Sequence, residues 1–432
     1  MTFDLVVRGG TVHLPDGPAR CDVGCDDGLI VGIGPELSGG REEVDATGLH
    51  VLPGFVDAHV HLNDPGRTHW EGFASGTAAM AAGGTTAFAD MPLNAIPATV
   101  DGLALREKLV VAGEARADYA FWGGLVPGPL DRLDELAAGG VCGFKAFLSE
   151  SGVDEFARAD ALTLYEGMVR AAGLGLPVAV HCESEVITAG LTARLRVAGR
   201  VAMRDYLASR PVVAELEAIA TALELAGAAG CHLHLVHVST ARGVALALDA
   251  RARGVRVTVE TCPHYLLLDA DDAERIGALA KCAPPLRDAS ERAALAAAIE
   301  GIDLVASDHS PSPPDLKRGD DLFAVWGGIA GCQTLAQATL AAGVPVTELP
   351  RLLAASPARL LGIDDRKGAI AIGLDADLVV LAPDAEVRIG RDDLRYRHRQ
   401  GPYTGRALRG RVVRRMLRGG AVFGRYLRRR TG

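Results

Sequence analysis

Eight short apolar runs, most followed by an alanine- and leucine-rich stretch long enough for a helix, constrain this chain more than any other feature. They are FVDAHVH (55–61), TTAFADM (85–91), YAFWGGLV (119–126), CGFKAFL (142–148), PVAVHCE (177–183), HLHLVHVS (232–239), VRVTVETC (255–262) and DLVASDH (303–309). β-Branched and aromatic runs bounded by turn residues favour strands, and their alternation with helical stretches favours parallel βα units. Eight such units predict an α/β fold of the (β/α)8 or TIM-barrel type. A doubly wound sheet is the alternative, but no GxGxxG follows the first strand and nothing marks a dinucleotide.

The 432 residues exceed one ordinary core, and the two ends differ in texture from the middle. Residues 1–52 carry short strands broken by Gly, Pro and Asp. The same punctuation returns within 367–432, in GAIAIGLDADLVVLAPD (368–384) and GRALRGRVVRRMLRGGAVF (405–423). We expect these end segments to fold together as a small β module beside a barrel of residues 53–366.

A formal charge of −9 provides no global positive field, so nucleic acid and anionic membranes are disfavoured as partners. Arginines gather at the C-terminus (Arg411, Arg414, Arg415, Arg418, Arg425 and Arg428 to Arg430), which reads as a solvated tail or a subunit contact. The eight cysteines include no CxxC pair, so free intracellular thiols are expected rather than disulfides or a zinc ribbon. The N-terminus MTFDLVVRGG has neither a basic nor an apolar leader region, and no glycine-poor apolar run of about 20 residues follows. A cytoplasmic protein is expected.

The chemistry lies in where the histidines fall, because the C-terminal ends of barrel strands form the mouth of the site. His59 and His61 end the first strand, and their spacing places both imidazoles on one pleat face, able to grip one ion. His181 ends the fifth strand, His237 the sixth and Asp308 the eighth. An isolated strand histidine is more often a hydrogen-bonded core residue, and His232 and His234 fit that description. Four histidines and an aspartate at strand ends of one barrel are harder to assign to packing. Lys145 on the fourth strand would be costly to bury as an ammonium. A salt bridge would relieve that cost, and so would carboxylation by CO2.

These segments, together with HVHLNDPGRTHWEG (59–72), GGTTAFADMPLNAIPAT (83–99), ETCPHYL (260–266), KCAPPLR (281–287), SDHSP (307–311), WGGIAG (326–331) and PYTGRALRGRV (402–412), resemble the cyclic amidohydrolases, and within them the allantoinases. The resemblance covers nearly the whole chain. It implies a barrel with a small β-sandwich made by the two ends, two divalent cations, and a homotetramer. By that resemblance one cation takes His59, His61 and Asp308, the other takes His181 and His237, and Lys145, as N6-carboxylysine, bridges them. Zinc leads among the metals, with cobalt, manganese and iron acceptable to the same donors. Asp308 doubles as the acid–base group that moves a proton from water to the departing nitrogen. Asn94 and Ser310, just past the second and eighth strands, are candidates to orient the substrate, with loop capping as the competing role. Ala283 and Gly327 are candidates to offer backbone groups. His264 reads as a supporting or loop residue rather than a ligand.

The expected substrate is a small molecule, allantoin, opened to allantoate in purine catabolism. Dihydroorotases usually carry arginine after HxHL, where this chain has Asn63, and hydantoinases place a tyrosine five residues past the bridging lysine, where this chain has Glu150. Both competitors are disfavoured on those positions. A Ser-His-Asp hydrolase is disfavoured by the lack of a GxSxG elbow. A non-catalytic relative would be expected to have lost several of the six ligand positions, all of which are filled here.

Overall fold

The computed structural model describes residues 2–429, so Met1, Arg430 and the last two residues of the 367–432 segment lie outside the described residues. Eight parallel strands form one sheet in the order in which they occur along the chain. Five strands precede them: β1 Phe3–Leu14, β2 Gly17–Asp26, β3 Leu29–Gly34, β4 Gly40–Asp45 and β5 His50–Pro53. The barrel strands are β6 Phe55–Val60, β7 Thr85–Asp90, β8 Asp118–Gly124, β9 Gly143–Phe147, β10 Val178–His181, β11 Leu233–Leu235, β12 Val257–Thr261 and β13 Leu304–Val305. All are buried almost throughout, as expected of strands covered on both faces.

The barrel closes between β6 and β13. Val60 and His309 form a single parallel bridge there, and the His61 amide donates to the His309 carbonyl at 2.7 Å. One turn below, Oδ1 of the buried Asp57 accepts from the Ser307 amide at 3.0 Å. The first and last strands are thus tied together directly beneath the residues they carry. Inside the barrel, Trp122 donates from Nε1 to the Ala58 carbonyl at 3.0 Å and stacks on His234, with ring centroids 6.2 Å apart. Between strands and helices runs a continuous apolar layer that includes Phe55, Phe73, Phe88, Phe121 and Phe144. Burying each such side chain contributes roughly 1.5–3 kcal/mol.

The chain ends meet, as the sequence predicts. β14 Leu378–Arg388 and β15 Ala407–Met416 join β1 to β5 in a seven-stranded mixed sheet, with β14 beside β5 and β4 paired to β1. Leu5, Val7, Val23, Ile30, Val51 and Leu378 are among the residues of its own small core. The sheet is clasped to the barrel by Lys367, whose Nζ lies 2.6 Å from Asp118 and 2.7 Å from both Asp375 and Asp377.

The C-terminal arginines correct one expectation. Five of them, Arg415 among them through the carbonyls of Thr85 and Arg116, strap the barrel rather than forming a solvated tail. Arg418 pairs with Asp118, Arg425 lies 2.7 Å from Asp375, Arg428 donates to the Ala138 carbonyl at 2.7 Å, and Arg429 donates to the carbonyls of Cys142 and Leu360. The cause is the path after β15, which returns along the barrel and buries Leu427. Gly424 permits that path, since a Cβ there would sit 1.8 Å from the Ala117 carbonyl oxygen.

Candidate active site

The strand ends deliver their polar residues to one mouth. His59 lies in β6 and His61 just beyond it, Lys145 lies in β9, and His181 closes β10. His237 and Asp308 stand two and three residues past β11 and β13, because those strands are shorter than the apolar runs that mark them. Both have left-handed backbones, with φ of 40° and 44°, as do Asn63 (62°) and Asn94 (68°). Such conformations cost a non-glycine residue free energy and concentrate at functional sites. Three of them, Asn94, His237 and Asp308, line one cavity.

Three donor atoms, from His59, His61 and Asp308, lie within 4.8 Å of one another. Asp308 Oδ1 is 3.2 Å from Nε2 of His59 and 3.3 Å from Nε2 of His61. Across the mouth, Nδ1 of His181 faces Nε2 of His237 at 3.1 Å. For bonds of about 2.0–2.1 Å the edge of a tetrahedral coordination shell is about 3.3 Å, so these spacings suit shared cations.

Carboxylates on the far nitrogens fix which lone pairs face inward. His59 donates from Nδ1 to Glu260 at 2.8 Å, and His181 donates from Nε2 to Glu183 at 2.9 Å. That leaves Nε2 of His59 and Nδ1 of His181 free as donors to a metal, the usual device for orienting metal-binding imidazoles. Nζ of Lys145, Nδ1 of His61 and Nδ1 of His237 are buried without hydrogen-bond partners. A donor set so rich in inward lone pairs, with an unpaired lysine at its centre, fits divalent cations.

Burial pushes the His61 imidazole down to about 4, against the pull of Asp308, and His237 well below its usual value. Both are therefore neutral at pH 7, the form that binds metals. Burial also pushes Lys145 down to about 8, with Asp308 and Glu260 opposing the shift. About a tenth of it is then free amine at pH 7, the form that reacts with CO2. The Asp308 carboxyl, despite burial, is held well below the usual carboxylate range by His59, His61 and His237.

These groups open into a cavity of about 360 Å³, a size suited to a small molecule. Asn94, Ala283, Ser310 and Gly327 all line it, on the loops after β7, β12 and β13. Ser310 donates its backbone N–H to Ile329 at 2.9 Å, so its hydroxyl is the group left for the cavity. His264 is buried beyond β12, with neither ring nitrogen hydrogen-bonded, and it is absent from the cavity wall. His232 and His234 both contact Thr258 Oγ1, as core residues would.

The sequence reading did not single out Glu183, Glu260, Arg210 or Trp326. Glu183 is two residues past His181 and accepts from both His181 and Arg210. Its position in HCE was a usable signal. Glu260 lies on β12, beside β11, where it accepts from the His237 amide, and it also reaches His59 on β6, which is not a neighbouring strand. Trp326 packs edge-on against Trp70 at the cavity rim, with centroids 4.8 Å apart.

The model of the Amidohydrolase family matches residues 50–422. An allantoinase of Rubrobacter xylanophilus is 57% identical over 98% of this chain and 94% of its own length. Another from Solibacter usitatus is 53% identical over 97% and 93%, and one from Escherichia coli is 42% identical over 98% and 96%. Among solved structures, the L-hydantoinase (dihydropyrimidinase) of Arthrobacter aurescens superposes with a TM-score of 0.95 at 33% identity, covering 98% of this chain and 99% of that one.

Proposed function

This chain belongs to the amidohydrolase family, and from that premise we propose that it hydrolyses the ring amide of allantoin, giving allantoate. The observation that carries the reading is the near full-length similarity to allantoinases from several bacteria, joined to a cavity lined by four histidines and an aspartate, with Lys145 buried in β9. The enzyme is a hydrolase of C–N bonds in cyclic amides. It acts in the breakdown of purine-derived ureides.

His59, His61 and Asp308 would hold one divalent cation and His181 with His237 a second, with Lys145, as its carbamate, between them. Bound there, two cations, zinc foremost, would polarise the ring carbonyl and make water nucleophilic at neutral pH. The neutral Lys145 amine adds to CO2 and releases one proton, giving an anionic carbamate in place of an ammonium that would be costly to bury. Glu260 and Glu183 hold the imidazoles of His59 and His181 with their lone pairs inward. Asp308 takes a proton from the attacking water on its carboxylate and returns it to the ring nitrogen as the amide bond breaks. This avoids expelling an amide anion. Asn94 and Ser310 orient the ring from their loops, and backbone groups of Ala283 and Gly327 meet its amide edges.

Among the described residues no helix is long and apolar enough to cross a membrane. We place the enzyme in the cytoplasm as a homotetramer, with residues 53–366 as the catalytic unit and 1–52 with 367–432 as the appended one. Sedimentation at assay concentration checks the tetramer. The reaction itself is tested by following allantoin by NMR in the presence of the metal-loaded enzyme. One water should be gained at the ring and the ureido arm retained. Release of urea from the arm instead would contradict the reading.

A further inference from the structure

The cavity wall holds several polar side chains besides the histidines and Asp308, and its other charged ones, Glu150 apart, are already engaged. Arg210 is paired with Glu183, and Arg196 lies 2.9 Å from Asp321. Lys281 donates to the Val325 carbonyl, and Tyr206 donates to the Cys282 carbonyl at 2.9 Å. Ser151 donates to the Phe156 carbonyl at 2.6 Å. Glu150 is the charged side chain among them that has no hydrogen bond. Among the described residues it is, apart from Asp308, the only carboxylate in the cavity wall; its side chain is 68% exposed, and its ion-pair partner Arg158 lies 3.6 Å away, too far for a hydrogen bond.

Its backbone is nonetheless held. The Glu150 amide donates to Glu185 at 2.9 Å, and the next residue pins the turn through the Ser151 hydroxyl. A two-oxygen acceptor without a hydrogen bond, paired only with Arg158, therefore stands on an anchored loop, three residues past β9, which carries Lys145. Allantoin differs from unsubstituted hydantoin only in its ureido arm. That arm presents two N–H groups side by side, at the separation a carboxylate's two oxygens accept together.

We propose that Glu150 is the residue that selects the ureido arm, accepting its two N–H groups while the ring lies among the histidines. This rests on the allantoin reading and extends it to the part of the substrate that does not react. A neutral or apolar side chain at this position would serve a hydantoin carrying an apolar arm, whereas a carboxylate favours a donor-rich arm. Because the arm is bound alike before and during ring opening, its loss should appear mainly in KM.

The experiment measures kcat/KM for allantoin, hydantoin and 5-isobutylhydantoin, whose arm matches the ureido group in size without its N–H donors. The metal-loaded parent, Glu150→Gln and Glu150→Ala are compared. A charge-assisted pair of hydrogen bonds predicts that the allantoin-to-isobutylhydantoin ratio falls about 10- to 100-fold in both variants, chiefly through KM. An unchanged ratio in both variants overturns the assignment, as does an equal fall on all three substrates. Should the parent itself favour hydantoin or isobutylhydantoin over allantoin, the allantoin reading fails, and that result is read from the parent alone.

Discussion

Nδ1 of His59 lies 2.8 Å from Oε1 of Glu260, and both side chains are buried. The other carboxylate oxygen, Oε2, is 3.2 Å from Nε2 of His234. One carboxylate thus joins an imidazole of the mouth to an imidazole of the barrel interior. Burial would raise its pKa, yet His59 and His234 hold it down to about 2, so it is an anion throughout the neutral range.

Replacing Glu260 with Gln keeps the shape and removes the charge. An amide can accept from only one of the two histidines and must turn its NH2 toward the other. Losing such a supporting carboxylate costs about 10- to 100-fold in metal affinity or activity. Metal content per chain and kcat/KM should fall by that order with the far-UV circular dichroism unchanged. Full metal occupancy and full activity would show that Glu260 only fills space.

Lys145→Ala should lose bound metal and activity together, and a short carboxylic acid should restore part of both by supplying the missing bridging oxygens. Elemental analysis before and after adding acetate or propionate reads this directly. Full activity in the unrescued variant would remove Lys145 from the mechanism.

Lys367 is buried among Asp118, Asp375 and Asp377, so Lys367→Met leaves three carboxylates without their shared cation. Breaking a buried pair on one side costs about 3–5 kcal/mol. The sign with pH follows from Asp118. Burial opposes its ionisation, but Lys367 and Arg418 depress its pKa in the fold. Its contribution is therefore present above the unfolded value of about 3.9 and lost as pH falls through the depressed one. In the variant that protection is weakened, and the pH of maximum stability should move down. Urea unfolding at pH 5 and pH 7 measures the shift.

His13 lies 2.8 Å from His50, and its pKa is lowered to about 4, first by burial and then by His50. A folded pKa below the unfolded one means the unfolded chain binds the proton first as pH drops. The contribution is complete above about 6.5 and is lost between there and about 4. His13→Gln should flatten the fall in unfolding free energy across that window. Equal falls in parent and variant would contradict the assignment.

How much of this was legible beforehand follows from where each residue sits. The histidines and Asp308 end apolar runs, so the barrel rule alone places them at one mouth, and the eight runs mark all eight strands. The runs overestimate β11 and β13, because apolar residues continue after the chain has left the ladder to turn through His237 and Asp308. Glu260 was hidden, since a glutamate inside a strand acquires its role only through its neighbour's register. The C-terminal arginines were misread because local composition resembles a solvated tail, while their partners, such as Asp118 and the Cys142 carbonyl, are hundreds of residues away in the chain.

The account stands most directly on substrate choice. The metal-reconstituted enzyme should be assayed in parallel on allantoin, dihydroorotate and hydantoin, with kcat/KM measured for each. Allantoin should be turned over fastest, with allantoate as product. Faster turnover of dihydroorotate or hydantoin would contradict the account.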